Sequence, residues 1–301
     1  MRGLAAFIMR GRARAVSAIC ALTVLSWIVS LASLLSAAAV GLPTLRKGAL
    51  EGAIVMAAAL AGVAVVGGIL LGGPLQAAGY TLALWAPVWL LAILLRESGR
   101  LAWALAGASV LAMSMVLAIY TIYGDPGEMW LEELRRFSKP FLEKGSAEAD
   151  AELLRRNFEG LSRYMTGVVA AGSMLTLSFS LLIARWWQAL LFNPGGFRAE
   201  FASLRAPTAA AYAWLGLLAL AGVSGGIGAE IAWNLAIPLS MLFLLAGFAV
   251  LHAMFSASGN GAFWLVGIYV ALIFVSPLIV LVMLIGFSDS WIDWRRRFLV
   301  A

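Results

Sequence analysis

The feature that most limits this 301-residue chain is a series of long runs almost free of charge. There are eight: Ala15 to Leu42, Gly52 to Leu75, Ala77 to Leu95, Leu101 to Tyr123, Tyr164 to Ala184, Thr208 to Ala229, Ile231 to Met254 and Ala262 to Phe287. A hydrocarbon core about 30 Å thick takes about 20 apolar residues to cross as a helix, the form that satisfies its own backbone hydrogen bonds there. The runs therefore predict an all-α, polytopic transmembrane helix bundle of about eight membrane segments. Composition agrees, with 63% of residues hydrophobic and 12% charged, where a soluble domain carries about a quarter charged. The last run is the clearest expectation of one unbroken span. Of its 24 residues from Ala262 to Ile285, 16 are Leu, Ile, Val or Phe, each favouring insertion.

Charge divides the chain into N-terminal membrane helices (1–123), a charged insert (124–162) and C-terminal membrane helices (163–301). The insert carries nine acids and six bases, while the whole chain is +6. Those other bases sit in short blocks beside apolar runs, a pattern of cytoplasmic loops and anionic-lipid contact. A lipid bilayer, and not nucleic acid, is the expected partner. Arg2, Arg10, Arg12 and Arg14 before the first run imitate a signal peptide, but that run is too long for a cleaved one. An uncleaved, cytoplasmic N-terminus in a bacterial inner membrane is the expectation.

The first run leaves two readings open. Its 28 residues make about 42 Å of helix, too long for one upright span and too short for two. It is either one tilted helix or a hairpin with a short returning arm, Leu31 to Leu45. With the hairpin, 11 short-loop bases fall on the cytoplasmic side and Arg295, Arg296 and Arg297 outside; with one span they divide 7 and 7. The positive-inside rule favours the hairpin, whereas the bases of the insert, if counted, argue against it.

Within the insert, Asp125, Pro126 and Glu128 read as a helix start. Trp130, Leu134, Phe137 and Phe141 then make one apolar stripe, and Ala147, Ala151, Leu154, Phe158, Leu161 and Met165 a second. Two amphipathic helices lying at the bilayer interface account for both, and a lid or docking hairpin is the sharper alternative.

Little here can carry chemistry. One cysteine, Cys20, and one histidine, His252, exclude an internal disulfide and a Cys- or His-clustered metal site. No P-loop occurs, no cofactor is expected, and the chain reads as a non-enzyme. Polar groups at membrane depth are the functional candidates, which singles out His252, Asn234, Tyr120 and Trp233 as a ligand-binding set. Glu51 follows Lys47 by four residues and pairs with it locally. Glu230 falls in a glycine-rich turn, where it is expected to be solvated. Asp289, Asp293 and Arg297 recur every four residues and are expected to pair along one helix face. Ala57, Ala61, Ala64, Gly68 and Gly72 form a smooth small-residue stripe that lets another helix approach closely. It serves either internal contact or the docking of a separate membrane subunit.

The segment Leu42-Pro43-Thr44-Leu45-Arg46-Lys47-Gly48 opens a glycine- and alanine-rich helix, and the chain closes on Gly286-Phe287-Ser288-Asp289-Ser290-Trp291-Ile292-Asp293-Trp294-Arg295-Arg296-Arg297. Together with the charged insert, these segments resemble the YybS-like bacterial membrane proteins. That family is similar in its first half to the S-components of energy-coupling factor (ECF) vitamin transporters. The resemblance implies the hairpin orientation, binding of a small solute, and a transmembrane coupling subunit and ATPase supplied by other chains. S-components lack such an insert, and no vitamin-binding motif is recognisable. Two functions follow as expectations: a solute- or lipid-binding membrane protein with a separate energising partner, or a structural and assembly factor. A cavity lined by the four polar candidates favours the first, and a solid interior with an exposed small-residue stripe favours the second.

Overall fold

The computed structural model describes residues 1–142, 156–256 and 260–299. They form helices and short connections, with no strand among the described residues. The N-terminal helices are α1 (Arg2–Met9), α2 (Arg12–Ser26), α3 (Ala32–Lys47), α4 (Ala49–Leu71), α5 (Pro74–Ser98), α6 (Leu101–Tyr123) and α7 (Gly127–Leu142). After a helical stretch at 156–162 come α8 (Met165–Phe192), α9 (Gly196–Ala202), α10 (Thr208–Val223) and α11 (Gly226–Ser256). The chain closes with α12 (Gly261–Phe274), α13 (Pro277–Ile292) and α14 (Trp294–Leu299). Helices α4, α5, α6, α8 and α11 are long and apolar enough to cross a membrane, while α10, α12 and α13 are shorter apolar helices. By length and composition this is a multi-pass integral membrane protein.

The first apolar run folds as a hairpin, because α2 and α3 are separate helices joined through residues 27–31 and laid against each other. Every residue from Ser36 to Leu45 is buried, enclosed by α2, α4, α5 and α8. A helix without a polar face is stable only when surrounded, and Ala37, Ala38, Ala39 and Gly41 let its neighbours close in. A methyl group added to Gly41 would stand 3.0 Å from the Ala184 Cβ. At 16 residues, α3 is about 24 Å long, somewhat short of the roughly 30 Å of a full span.

Its C-terminal end gathers the basic residues. The last carbonyls of a helix need outside donors, and Leu45 O receives Arg96 Nη1 at 2.8 Å and Gln188 Nε2 at 3.3 Å. Glu51 takes Lys47 at 3.5 Å as expected, and also Arg12 at 2.6 Å. Arg185 pairs with Glu200 of α9 at 2.7 Å. The start of α2, the ends of α3, α5 and α8, and α9 thus share one end of the bundle. The insert meets the opposite end, where Trp130 Nε1 of α7 donates to Thr166 Oγ1 at 2.8 Å and Asp125 Oδ1 accepts from the Gly127 N–H at 2.9 Å. Of the second stripe, Ala147, Ala151 and Leu154 lie outside the described residues.

Three expectations are corrected. The last run is not one span: the helix breaks at Val275–Ser276 and resumes at Pro277. Proline has no N–H to bond the preceding turn, and it biases the residue before it away from the helix. Glu230 is not in a solvated turn; it lies in the first turns of α11, 20% exposed and 3.7 Å from Arg163. The predicted pairing of Asp289, Asp293 and Arg297 along one face does not form, because α13 ends and Asp293 takes a left-handed φ of 51°. Asp289, fully buried, instead accepts Arg295 Nη1 at 2.6 Å and the Trp294 N–H at 3.0 Å, and Arg205 lies 3.6 Å from Asp293. Arg295 also donates to Ala202 O and Leu204 O, fastening α14 to the segment after α9. Beneath this latch α11 and α13 touch backbone to backbone, since a methyl group on Gly247 would overlap the Val282 carbonyl and one on Gly286 the Phe243 carbonyl.

Candidate functional site

The four polar candidates do not share a cavity. Asn234 is fully buried and spent on the fold. Its Oδ1 accepts the Gly167 N–H at 2.5 Å, and its Nδ2 faces Arg163 O at 2.7 Å, Glu230 O at 2.8 Å and the Tyr120 hydroxyl at 3.1 Å. Asn234 and Tyr120 are therefore brought together as a cross-link of α6, α8 and α11, with no polar atom of Asn234 left over for a ligand. Trp233 turns outward, 42% exposed. His252 stands 18 residues further along α11, about 27 Å away.

His252 lines a cleft of about 710 Å³ between α8, α9, α11 and α12. Its Nδ1 is 2.9 Å from Phe248 O, and a carbonyl only accepts, so Nδ1 carries the proton. Nε2 is then the acceptor for the Tyr269 hydroxyl at 3.4 Å. Phe201 meets the imidazole edge to face at 5.5 Å, with Phe197, Phe255 and Leu265 completing an apolar wall. Among the described residues, Arg198 is the charged one at this cleft.

A different cavity, of about 390 Å³, lies between the α2–α3 turn and the α4–α5 turn. It is more polar than anything the sequence suggested, with Thr23, Ser26, Ser33, Ser36, Gln76 and Thr81 beside Trp27, Tyr80 and Trp85. Each serine and threonine hydroxyl donates to a carbonyl of its own stretch: Thr23 to Ile19, Ser26 to Thr23, Ser33 to Ser30, Ser36 to Ser33 and Thr81 to Ala77, at 2.6 to 3.0 Å. The hydroxyl protons are thus committed, and the oxygens keep lone pairs for other donors; Trp85 Nε1 takes one, on Ser36, at 3.2 Å. Among the described residues, no charged one lines this space. On the far side of α5, sharing Tyr80 and Leu84, runs an apolar cleft of about 630 Å³ walled by α6 and α8.

Comparison with protein-family models, with curated proteins and with solved structures finds no match.

The small-residue stripe faces outward. Ala57, Ala61 and Gly72 are exposed, and Ala64 and Gly68 half-buried. The inner face of α4 is instead Gly52, Val55, Ala59, Val63 and Gly67. Among the described residues no group of three His, Cys, Asp or Glu side chains could hold a metal ion. Sequence reasoning missed Tyr269, Arg198 and the whole hydroxyl cavity. Its available signal was the recurrence of Thr23, Ser26, Ser33 and Ser36 inside a run otherwise apolar.

Proposed function

We propose that this membrane protein is a non-enzymatic binder of a small solute or lipid, S-component-like, that relies on a separate energising partner. The observation that carries this reading is the hydroxyl-lined cavity. A pocket of polar, uncharged groups at the edge of an apolar bundle suits ligand recognition. Its spare oxygens suit a small, uncharged solute bearing N–H or O–H groups, with Trp27 and Tyr80 offering ring faces. The basic end of the bundle is assigned to the cytoplasm of a bacterial inner membrane by the positive-inside rule, which puts the N-terminus inside and the cavity at the outer end. The exposed Ala57–Ala61 stripe is the candidate contact for a transmembrane coupling subunit, with an ATPase supplied by another chain.

A structural or assembly role is the second reading. It is favoured by the solid Asn234–Tyr120 cross-link and by that same exposed stripe. Purification from native membranes, with mass spectrometry of co-eluting proteins and small molecules, separates the two. An ATPase-linked partner or a stoichiometric solute supports the binder; membrane partners with neither support the assembly factor.

A further inference from the structure

The His252 cleft belongs to the other half of the molecule, and its chemistry differs from that of the hydroxyl cavity. Its volume, about 710 Å³, falls in the usual range of ligand clefts. Its interior has little to offer a hydrated solute: His252 uses Nδ1–H on Phe248 O and Nε2 on the Tyr269 hydroxyl. The remaining wall is hydrocarbon and aromatic.

Several bases at this end are spent on carboxylates, and Arg198, at the border of the cleft, is not. Arg185 is paired with Glu200, Arg205 with Asp293, and Arg295 with Asp289. Arg198 is exposed and has no carboxylate among the described residues. An uncompensated guanidinium beside an apolar slot, at the end of the bundle that also collects Arg12, Lys47 and Arg96, is complementary to an amphiphile with a negative head. Guanidinium groups bind phosphate through two parallel hydrogen bonds, and basic pockets between membrane helices hold anionic headgroups.

We propose that this cleft holds an anionic phospholipid, one acyl chain lying against Phe201, Phe255 and Leu265 and the phosphate resting on Arg198. The site is independent of the solute reading and extends beyond it. It gives the α8–α9 connection a role in fixing the protein to a negatively charged leaflet.

The test is native mass spectrometry of the full chain released from vesicles of equal parts phosphatidylglycerol and phosphatidylcholine. The wild type is expected to retain phosphatidylglycerol about fivefold over phosphatidylcholine, the discrimination that one interfacial arginine supplies. Arg198→Glu is expected to erase that preference. Arg100→Glu, at the same end but outside the cleft, is expected to keep it, and Leu265→Trp to lower retention of both lipids. Ser33→Phe, which fills the hydroxyl cavity, is expected to leave lipid retention intact, so failure of the solute reading does not carry over. If Arg198→Glu elutes aggregated, Arg198→Gln replaces it. An unchanged preference in the Arg198 variant, an equal loss in Arg100→Glu, or no retained lipid in the wild type would overturn the proposal.

Discussion

Asn234 shows how a polar residue at membrane depth can be structural. Its amide joins three helices, accepting the Gly167 N–H and donating toward Arg163 O, Glu230 O and the Tyr120 hydroxyl. Asn234→Ala is expected to lower stability by about 1–2 kcal/mol, read as a fall in thermal unfolding temperature in detergent, while ligand retention at the hydroxyl cavity is unchanged. The two C-terminal carboxylates separate the same way. Asp289, with no exposure and an arginine partner 14% exposed, is expected to cost about 3 kcal/mol on substitution by alanine, because the arginine is left buried and unpaired. Asp293, part-exposed beside Arg205, is expected to cost about 1 kcal/mol, most of it from placing alanine at a left-handed φ. Equal unfolding temperatures for Asp289→Ala and Asp293→Ala would contradict the buried latch. Spacing alone assigned both aspartates to one helix face. It could not show that the helix ends between them, since that depends on a left-handed Asp293 and on donors more than 80 residues away in sequence.

At the scale of elements, the apolar runs were legible but their continuity was not. Hydropathy integrates over a window and is blind to a single interruption. Pro277 leaves the hydropathy of the last run high while breaking its helix, and residues 27–31 do the same for the first. Which face of a helix turns inward was equally hidden, because in lipid both faces are apolar. In α4 the buried and exposed faces each carry small residues, so composition could not choose between them. The exposed stripe leads to a prediction: Ala57→Leu with Ala61→Leu leaves stability within about 0.5 kcal/mol of the wild type, and the proposed coupling subunit, if it docks on this stripe, no longer co-purifies. At the α11–α13 crossing the opposite holds. Gly286→Leu would drive a side chain into the Phe243 carbonyl and is expected to destabilise by about 3 kcal/mol, detected as early unfolding in the same assay.

For the whole molecule, charge distribution and cavities point the same way. The bases of several distant segments converge on one end, which the sequence could only count loop by loop. A cysteine at Glu132 of α7, in a Cys20→Ala background, is expected to react with a membrane-impermeant maleimide added outside intact cells; labelling only after permeabilisation would reverse the orientation. One wall of the hydroxyl cavity left a signal in the sequence, the hydroxyls from Thr23 to Ser36, but its closure by a second turn some 50 residues away did not. It also bears the central claim, that the protein binds a small solute there. The most direct measurement is quantitation, by mass spectrometry, of small molecules carried by purified wild type and by Ser33→Phe. A single compound near one per protein, lost in Ser33→Phe while the variant stays folded, is the predicted result. No stoichiometric compound in the wild type, or one retained undiminished by Ser33→Phe, would contradict it.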